Sequence, residues 1–267
     1  MRTLILTLAL FFARFDSPAV LYNADYVKAL YSRYPTRKSA FCKACKFWDN
    51  SYYQSIADTF RHMPLITYQR FSRANYAKVA TMRIPRKGVF AYWNAVNGQS
   101  REDKVYVAAN KIAQAYDPED IIAKGHCQPW ILNAFSYDSA ILSNTYTFNA
   151  ACENQSQNIG TELASENVTR RLLADHDVEV WCGTYGSQST FTDGKITNTY
   201  PAVYWKIIKC DGKITCYWMP NRKKEKRNLL SEKIIPYAGA DPSHPGLINL
   251  LKFKPENYLP HKENMPF

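Results

Sequence analysis

Hydrophobic and polar positions alternate most clearly in the second half of the chain. Residues 178–182 (Val-Glu-Val-Trp-Cys) follow the two-residue period of a half-buried strand. Residues 202–209 and 214–218 are β-rich runs on either side of Cys210-Asp211-Gly212-Lys213, and an Asp-Gly pair supplies the two positive backbone angles of a tight turn, so they predict a hairpin. Residues 89–93 (Val-Phe-Ala-Tyr-Trp) and 104–108 (Lys-Val-Tyr-Val-Ala) read as further strands, and residues 112–122 lead through Tyr116-Asp117-Pro118 into the extended segment Ala123-Lys124-Gly125-His126. The period changes between these runs. Gly160, Ala164, Val168 and Leu172 recur every fourth residue, and Asn158, Glu162, Glu166 and Arg170 form a second series roughly 200° around the axis, which predicts a helix over 158–174. One side of that helix is small or apolar; the other is polar and resembles either a functional face or an ordinary solvated one. Residues 20–75 are rich in Tyr, Arg and Phe without a sustained period and predict a loop-rich wrapping with short strands and helices. No repeat, low-complexity tract or glycine-rich linker divides the chain. The expectation is a single mixed α+β domain over 20–267, with a central antiparallel sheet.

Composition narrows the partners. With 267 residues, 46% of them hydrophobic and 14% aromatic, the chain has ample material for a core, which excludes a disordered chain. Lys and Arg exceed Asp and Glu by 11 charges and the isoelectric point is near 9.2, which favours polyanions: nucleic acid, an anionic membrane surface or a sulfated glycan. No uninterrupted apolar run reaches the length of about 18 residues that a membrane-spanning helix needs. Residues 221–227 place Arg222, Lys223, Lys224, Lys226 and Arg227 in one short segment, either a solvated loop or a contact that tracks a phosphate backbone. Met1-Arg2 precedes the apolar block 3–13, and Arg14-Phe15-Asp16-Ser17 ends it; the pattern predicts a secretory leader over 1–19, the alternative being a buried first strand or helix. Seven cysteines suit an oxidising compartment, and their odd number leaves one unpaired or intermolecular. Cys42-Lys43-Ala44-Cys45 has no second half-site for zinc, so a structural bridge is the expectation. Asn154-Gln-Ser and Asn167-Val-Thr are glycosylation sequons, which matter only after export.

Among the histidines, His62, His176, His244 and His261 have no acidic or cysteine neighbour at metal-ligand spacing. His126 stands at the end of an extended segment, two residues after Lys124 and next to Gly125, which permits close backbone approach. Downstream, Asn149-Ala-Ala-Cys152-Glu153-Asn-Gln-Ser-Gln-Asn158-Ile-Gly160 precedes the helical Glu166 and Arg170. Together these residues resemble the DNA/RNA non-specific endonucleases, the ββα-metal nucleases, whose segments read Asp-Arg-Gly-His and Asn-x-x-Pro-Gln-x-x-x-x-Asn-x-Gly-x-Trp before a helical Glu and Arg. Residues 178–183 and 201–206 also look like that family's later strands, so the resemblance covers about residues 100–220. With Lys in place of Arg, the chain is similar to secreted insect nucleases.

The resemblance implies a ββα-metal motif and a secreted, metal-dependent, sequence-tolerant endonuclease that acts on DNA and on double-stranded RNA, leaving 5′-phosphates. It implies His126 as general base, Asn158 as the ligand of a single Mg²⁺ (Mn²⁺ being the alternative ion), Glu166 orienting metal-bound water, and Lys124 and Arg170 offsetting phosphate charge. The chemistry agrees with those roles. Phosphodiester hydrolysis needs an activated water, neutralisation of the transition state and a route out for the alkoxide. An imidazole with an ordinary pKa of about 6.5 can take a proton at neutral pH, and a carboxamide oxygen is a hard ligand suited to Mg²⁺. The chain departs from the family pattern at Ala123, Lys124, Cys152-Glu153 and Glu162, which stand where the family has Asp, Arg, Pro-Gln and Trp. Glu153 and Glu162 therefore bring extra negative charge near a polyanion, and a Cys127–Cys152 bridge would hold the two active segments together. The rival reading is a nucleic-acid-binding protein derived from such a nuclease with little or no catalysis; a heparin-like or membrane-surface binder has only net charge behind it.

Overall fold

The structure, a computed structural model, describes residues 24–85, 103–193 and 196–235; the leader expected over 1–19 and the strand expected over 89–93 lie outside the described residues. Eight strands form one antiparallel sheet in the spatial order β1 (Arg37–Lys38), β2 (Cys45–Asp49), β3 (Gln54–Asp58), β4 (Met63–Phe71), β7 (Val178–Tyr185), β10 (Val203–Cys210), β11 (Lys213–Pro220) and β12 (Ile234–Ile235). Two further ribbons pair β5 (Ile122–His126) with β6 (Ala150–Asn154) and β8 (Ser189–Asp193) with β9 (Ile196–Tyr200).

The sheet is built from both ends of the chain. Strand β4 pairs with β7 through Thr67↔Cys182 and Gln69↔Val180, which joins the meander β1–β4 to the C-terminal strands. The described part of 20–75, from Ala24 on, is therefore not a loop-rich wrapping but helix α1 (Ala24–Ser32), half of the central sheet and the turns that join them. Their alternation is masked because both faces are covered: β3 buries four of its five residues and β4 six of its nine, among them the polar side chains of Thr67 and Gln69.

Downstream, the pleat sorts side chains cleanly. Tyr204 and Ile208 of β10 join Val180, Cys182, Tyr217 and Met219 in one core, and Trp205 and Ile207 join Phe47, Ile56, Trp181 and Cys216 on the other face. The predicted hairpin is present, closed by Asp211 and Gly212 at φ of 47° and 72°. That pair of left-handed angles is what a two-residue turn between twisted strands requires.

The strand expected over 104–108 is instead part of helix α3 (Asp103–Tyr116), which follows helix α2 (Arg73–Met82) in the chain. The apparent alternation spans only Val105 and Val107, and Val107 is exposed; Ala109 and Ala113 continue the pattern at helical spacing and face the core. Asn110 then docks this helix on the start of β5, accepting from Ile122 N at 2.9 Å and donating to Ile122 O at 3.0 Å. Helix α4 (Tyr137–Ser143) lies in the segment between β5 and β6.

The helix expected over 158–174 is divided. Asn158–Glu162 form a π-turn, and the regular helix α5 runs from Leu163 to Leu172. Gly160 marks the break with φ −94° and ψ −108°, and a Cβ there would lie 2.0 Å from the carbonyl oxygen of Glu225. Only glycine lets those two backbones meet. Ala164, Val168 and Leu172 do pack on the core, as their spacing predicts, but the most buried side chains of α5 are Ser165 and Thr169.

Cys42 and Cys45 bridge to each other, with Cα atoms 4.9 Å apart; the sequence pointed to structural bridging without fixing the partners. The bridge expected between Cys127 and Cys152 is absent, and both are buried thiols. Cys127 continues β5 on the face opposite the one that carries Cys152 and packs in the core with Cys182, whereas Cys152 packs with Ile122, Ala150 and Tyr200.

Candidate active site

The β5–β6 ribbon sets the register of the site. Lys124 pairs with Cys152, Gly125 with Ala151 and His126 with Ala150, and Cys127 N extends the ladder by donating to Asn149 O at 2.7 Å. Asn149 clamps the far end: its Nδ2 donates to Gln128 O at 2.9 Å and Ser143 O at 2.6 Å, and its Oδ1 accepts from Gln128 N at 2.8 Å. Its place in the motif thus has a structural cause.

His126 is 6% exposed, and its Nε2 lies 2.9 Å from Asn144 Oδ1. Asn144 donates its own Nδ2 to Ala140 O at 3.0 Å, which turns its carbonyl oxygen towards the ring. A carbonyl oxygen only accepts, so Nε2 carries the proton; in the neutral ring the lone pair then sits on Nδ1. Asn144 is a residue of the candidate site that sequence reasoning missed. It lies 18 positions after His126, at the end of helix α4, and no fixed spacing announces it.

Behind the ribbon lies a buried charged cluster. Lys206 of β10 and Glu162 of the π-turn form an ion pair with both side chains 1% exposed, and Lys206 Nζ also donates to Ser165 Oγ at 3.0 Å. Burial is the largest single influence and would lower the Lys206 ammonium, but the negative charge of Glu162, together with those of Cys182 and Glu166 and the hydrogen bond to Glu162, outweighs it and holds the proton more tightly than in a free lysine. Glu162 is therefore neutralised inside the protein, and the charge expected to face a polyanion does not do so. The wider π-turn and the kink at Gly160 break the four-residue spacing, so Glu162 leaves the polar series Asn158–Glu166–Arg170 and is buried in the core.

Glu153 is fully buried, and neither carboxylate oxygen has a hydrogen-bond partner among the described residues. Burial raises its pKa well above the ordinary carboxylate range, and the nearby charges of Glu162 and Glu166 add to the effect against the pull of Lys206. Its carboxyl group also explains Gly125: a Cβ at that position would lie 2.1 Å from Glu153 Oε2 and 2.7 Å from Tyr204 Oη. Lys206 did leave a trace in the sequence, a lysine in the middle of the apolar run 203–208.

The other predicted residues are distributed around this core. Lys124 is half-buried, two residues before His126 on the same side of β5. Asn158 opens the π-turn, partly exposed, and its carboxamide makes no hydrogen bond among the described residues. Glu166 is in the first turn of α5, near enough to Glu153 and Lys206 to act on both electrostatically. Arg170 is in the last turn, exposed, and donates to Asn167 Oδ1 at 3.2 Å.

The basic segment 221–227 is anchored to the π-turn. Arg227 Nε donates to Ile159 O at 3.1 Å, beside the contact of Gly160 with Glu225. Arg222 pairs with Glu225 at 2.9 Å and Lys223 pairs with Asp117, so these two charges are partly spent within the protein. Lys224 and Lys226 are exposed and make no ion pair among the described residues. The segment expected to contact phosphate thus lies against the turn that carries Asn158.

The sequence pattern of the DNA/RNA non-specific endonucleases matches residues 41–234. The chain belongs to the DNA/RNA non-specific endonuclease family. Among solved structures, 124 chains match; one of them, from the crystal structure of the EndoG/EndoGI complex, superposes with a TM-score of 0.52 at 16% identity, over 74% of this chain and 82% of that one. It has the same fold. No curated protein sequence matches the chain. The family match starts at residue 41, so it takes in β2–β4 as well as the later motifs, and the meander is part of the nuclease fold. Members of the family depend on a divalent metal. The donors present fit a hard cation: the carboxamide oxygen of Asn158, which has no hydrogen-bond partner among the described residues, and the carboxylate of Glu166.

Proposed function

We propose that this chain is a secreted, Mg²⁺-dependent endonuclease that hydrolyses phosphodiester bonds in DNA and in double-stranded RNA without regard to sequence. The observation that carries the reading is His126: an imidazole on the β5–β6 ribbon, its Nε2 proton fixed by Asn144, in the sequence context of a non-specific nuclease. With Nε2 committed as a donor, Nδ1 is the basic atom. It takes the proton of the attacking water as the new P–O bond forms. Asn158 would hold the metal with Glu166 beside it, and the bound ion would supply Lewis-acid stabilisation of the phosphoryl oxygens and the leaving alkoxide. Lys124 and Arg170 add positive charge to the phosphate, the exposed Arg170 from the end of α5. Lysine at 124 is a point charge without the planar fork of arginine, so it steers phosphate rather than gripping two oxygens. Lys224, Lys226 and their neighbours bind the flanking backbone, whose uniform charge accounts for sequence tolerance. Export is supported by the leader pattern over 1–19 and by the Cys42–Cys45 disulfide.

The test is cleavage of plasmid DNA and of long duplex RNA by purified protein with Mg²⁺, with chelator, and with His126→Ala. Loss of a general base lowers the rate by about 10²–10⁴-fold. Wild-type protein that leaves both substrates intact at high concentration while still binding them in a salt-sensitive manner would show a binding protein instead.

A further inference from the structure

Helix α5 ends at Leu172, and the chain turns at once, with His176 N donating to Leu172 O at 2.9 Å before β7 begins. The tip of the β10–β11 hairpin reaches the same place. His176 Nδ1 lies 2.8 Å from Asp211 Oδ2, and the sulfur of Cys210 completes a set whose three donor atoms all lie within 4.8 Å of one another. Cys210 is only 8% exposed, while His176 and Asp211 reach solvent. The three border a groove of about 270 Å³ whose other walls are Val168, Leu172, Ile208, Lys213 and Thr215.

The geometry points to a zinc site at the hairpin tip, formed by His176 Nδ1, Cys210 Sγ and Asp211, with a fourth position open to the groove. A His–Asp ion pair alone would not need a sulfur at the third corner. One imidazole, one thiol and one carboxylate match the mixed nitrogen, sulfur and oxygen donors of a tetrahedral zinc ion, and three protein ligands leave a place for water. The thiol decides the class of ion. Mg²⁺ prefers oxygen donors and a wet octahedral shell, so the ion at Asn158 would not compete here. Zinc takes cysteine as the thiolate, so binding displaces the Cys210 thiol proton to solvent. A bound ion would staple the end of the helix that carries Glu166 and Arg170 to the hairpin of the central sheet. His176 lies 34 positions before Cys210 and 35 before Asp211, which is why spacing alone left His176 without ligand partners.

The experiment is a titration of the full chain with Co²⁺, the protein being kept reduced by a phosphine. The expected result is one equivalent of cobalt giving a thiolate-to-metal charge-transfer band and intense tetrahedral d–d absorption, both displaced by Zn²⁺. Cys210→Ser should abolish the charge-transfer band, and His176→Gln should weaken the affinity by more than about tenfold. At 100-fold excess over its dissociation constant, zinc should raise the melting temperature of the wild type by roughly 5–10 °C and leave Cys210→Ser unmoved. Folded wild-type protein that shows no thiolate band, or a band that survives in Cys210→Ser, overturns the site. Because the readout is spectroscopic, the result is independent of whether the chain cleaves nucleic acid.

Discussion

Replacing Lys206 with methionine keeps the length and apolar stem of the side chain but removes the charge opposite Glu162. Both partners are 1% exposed, so solvent cannot screen the carboxylate that remains. Removing one partner of a buried pair typically costs 3–5 kcal/mol, that is about 4 kcal/mol here, because an uncompensated charge stays in the core. At 2–4 °C per kcal/mol for a chain of this size, the melting temperature should fall by roughly 8–16 °C. Urea unfolding followed by tryptophan fluorescence at pH 7 measures the change. The double variant Lys206→Met/Glu162→Leu should recover most of the loss, since replacing a whole buried pair by apolar groups is close to neutral. In the single variant the lone Glu162 has its pKa raised further by burial, so its penalty is small below the ordinary glutamate range and grows as pH rises through it. A single variant that loses less than about 1 kcal/mol, or a double variant no more stable than the single, would refute the pair as the determinant of this core.

Asn144→Ala should lower kcat by roughly 10–100-fold with KM little changed, because it frees the imidazole to rotate without touching substrate. Asn144→Asp should retain more activity and shift the acidic limb of the rate profile to higher pH, since a carboxylate at Nε2 stabilises the imidazolium; steady-state kinetics across pH checks both. Glu153→Gln should be more stable than wild type at pH 7, judged by thermal melting. The raised folded pKa of Glu153 makes the folded state bind the extra proton, so wild-type stability declines as pH rises above the ordinary glutamate value, and the gain should vanish below it. Removing Lys224 and Lys226 together should weaken binding to all sequences alike and reduce the slope of log K against log salt by about 1.8, if each charge meets one duplex phosphate; an unchanged slope in a filter-binding titration would remove them from the interface.

Features that depend on neighbouring residues were legible in the sequence. The Asp211-Gly212 turn, strand β7 and the spacing from His126 to Asn158 all follow from short-range stereochemistry or from a motif. What failed depends on residues brought from far away. The strands of 37–71 are half of the sheet because β4 finds β7 more than a hundred positions later, and their mixed side chains are covered on both faces. Val105 and Val107 gave a false two-residue period over a stretch too short to outweigh the helix around it. A helical wheel drawn through 158–174 assumed an unbroken helix, so it could not show that the π-turn sends Glu162 inward to meet Lys206. The same limit hid Asn144 and the grouping of His176 with Cys210.

The alternation of the β5–β6 ribbon has an evolutionary consequence. Lys124 and His126 sit on one side, and Gly125 and Cys127, with Glu153 across from Ala123, sit on the other. Deleting or inserting one residue in either strand would swap the two sets, sending the imidazole into the packing and a thiol to the chemistry. Drift in this stretch must therefore proceed by exchanging one side chain for another, as Lys124 and Glu153 illustrate, while changes of length are confined to the connection between the strands.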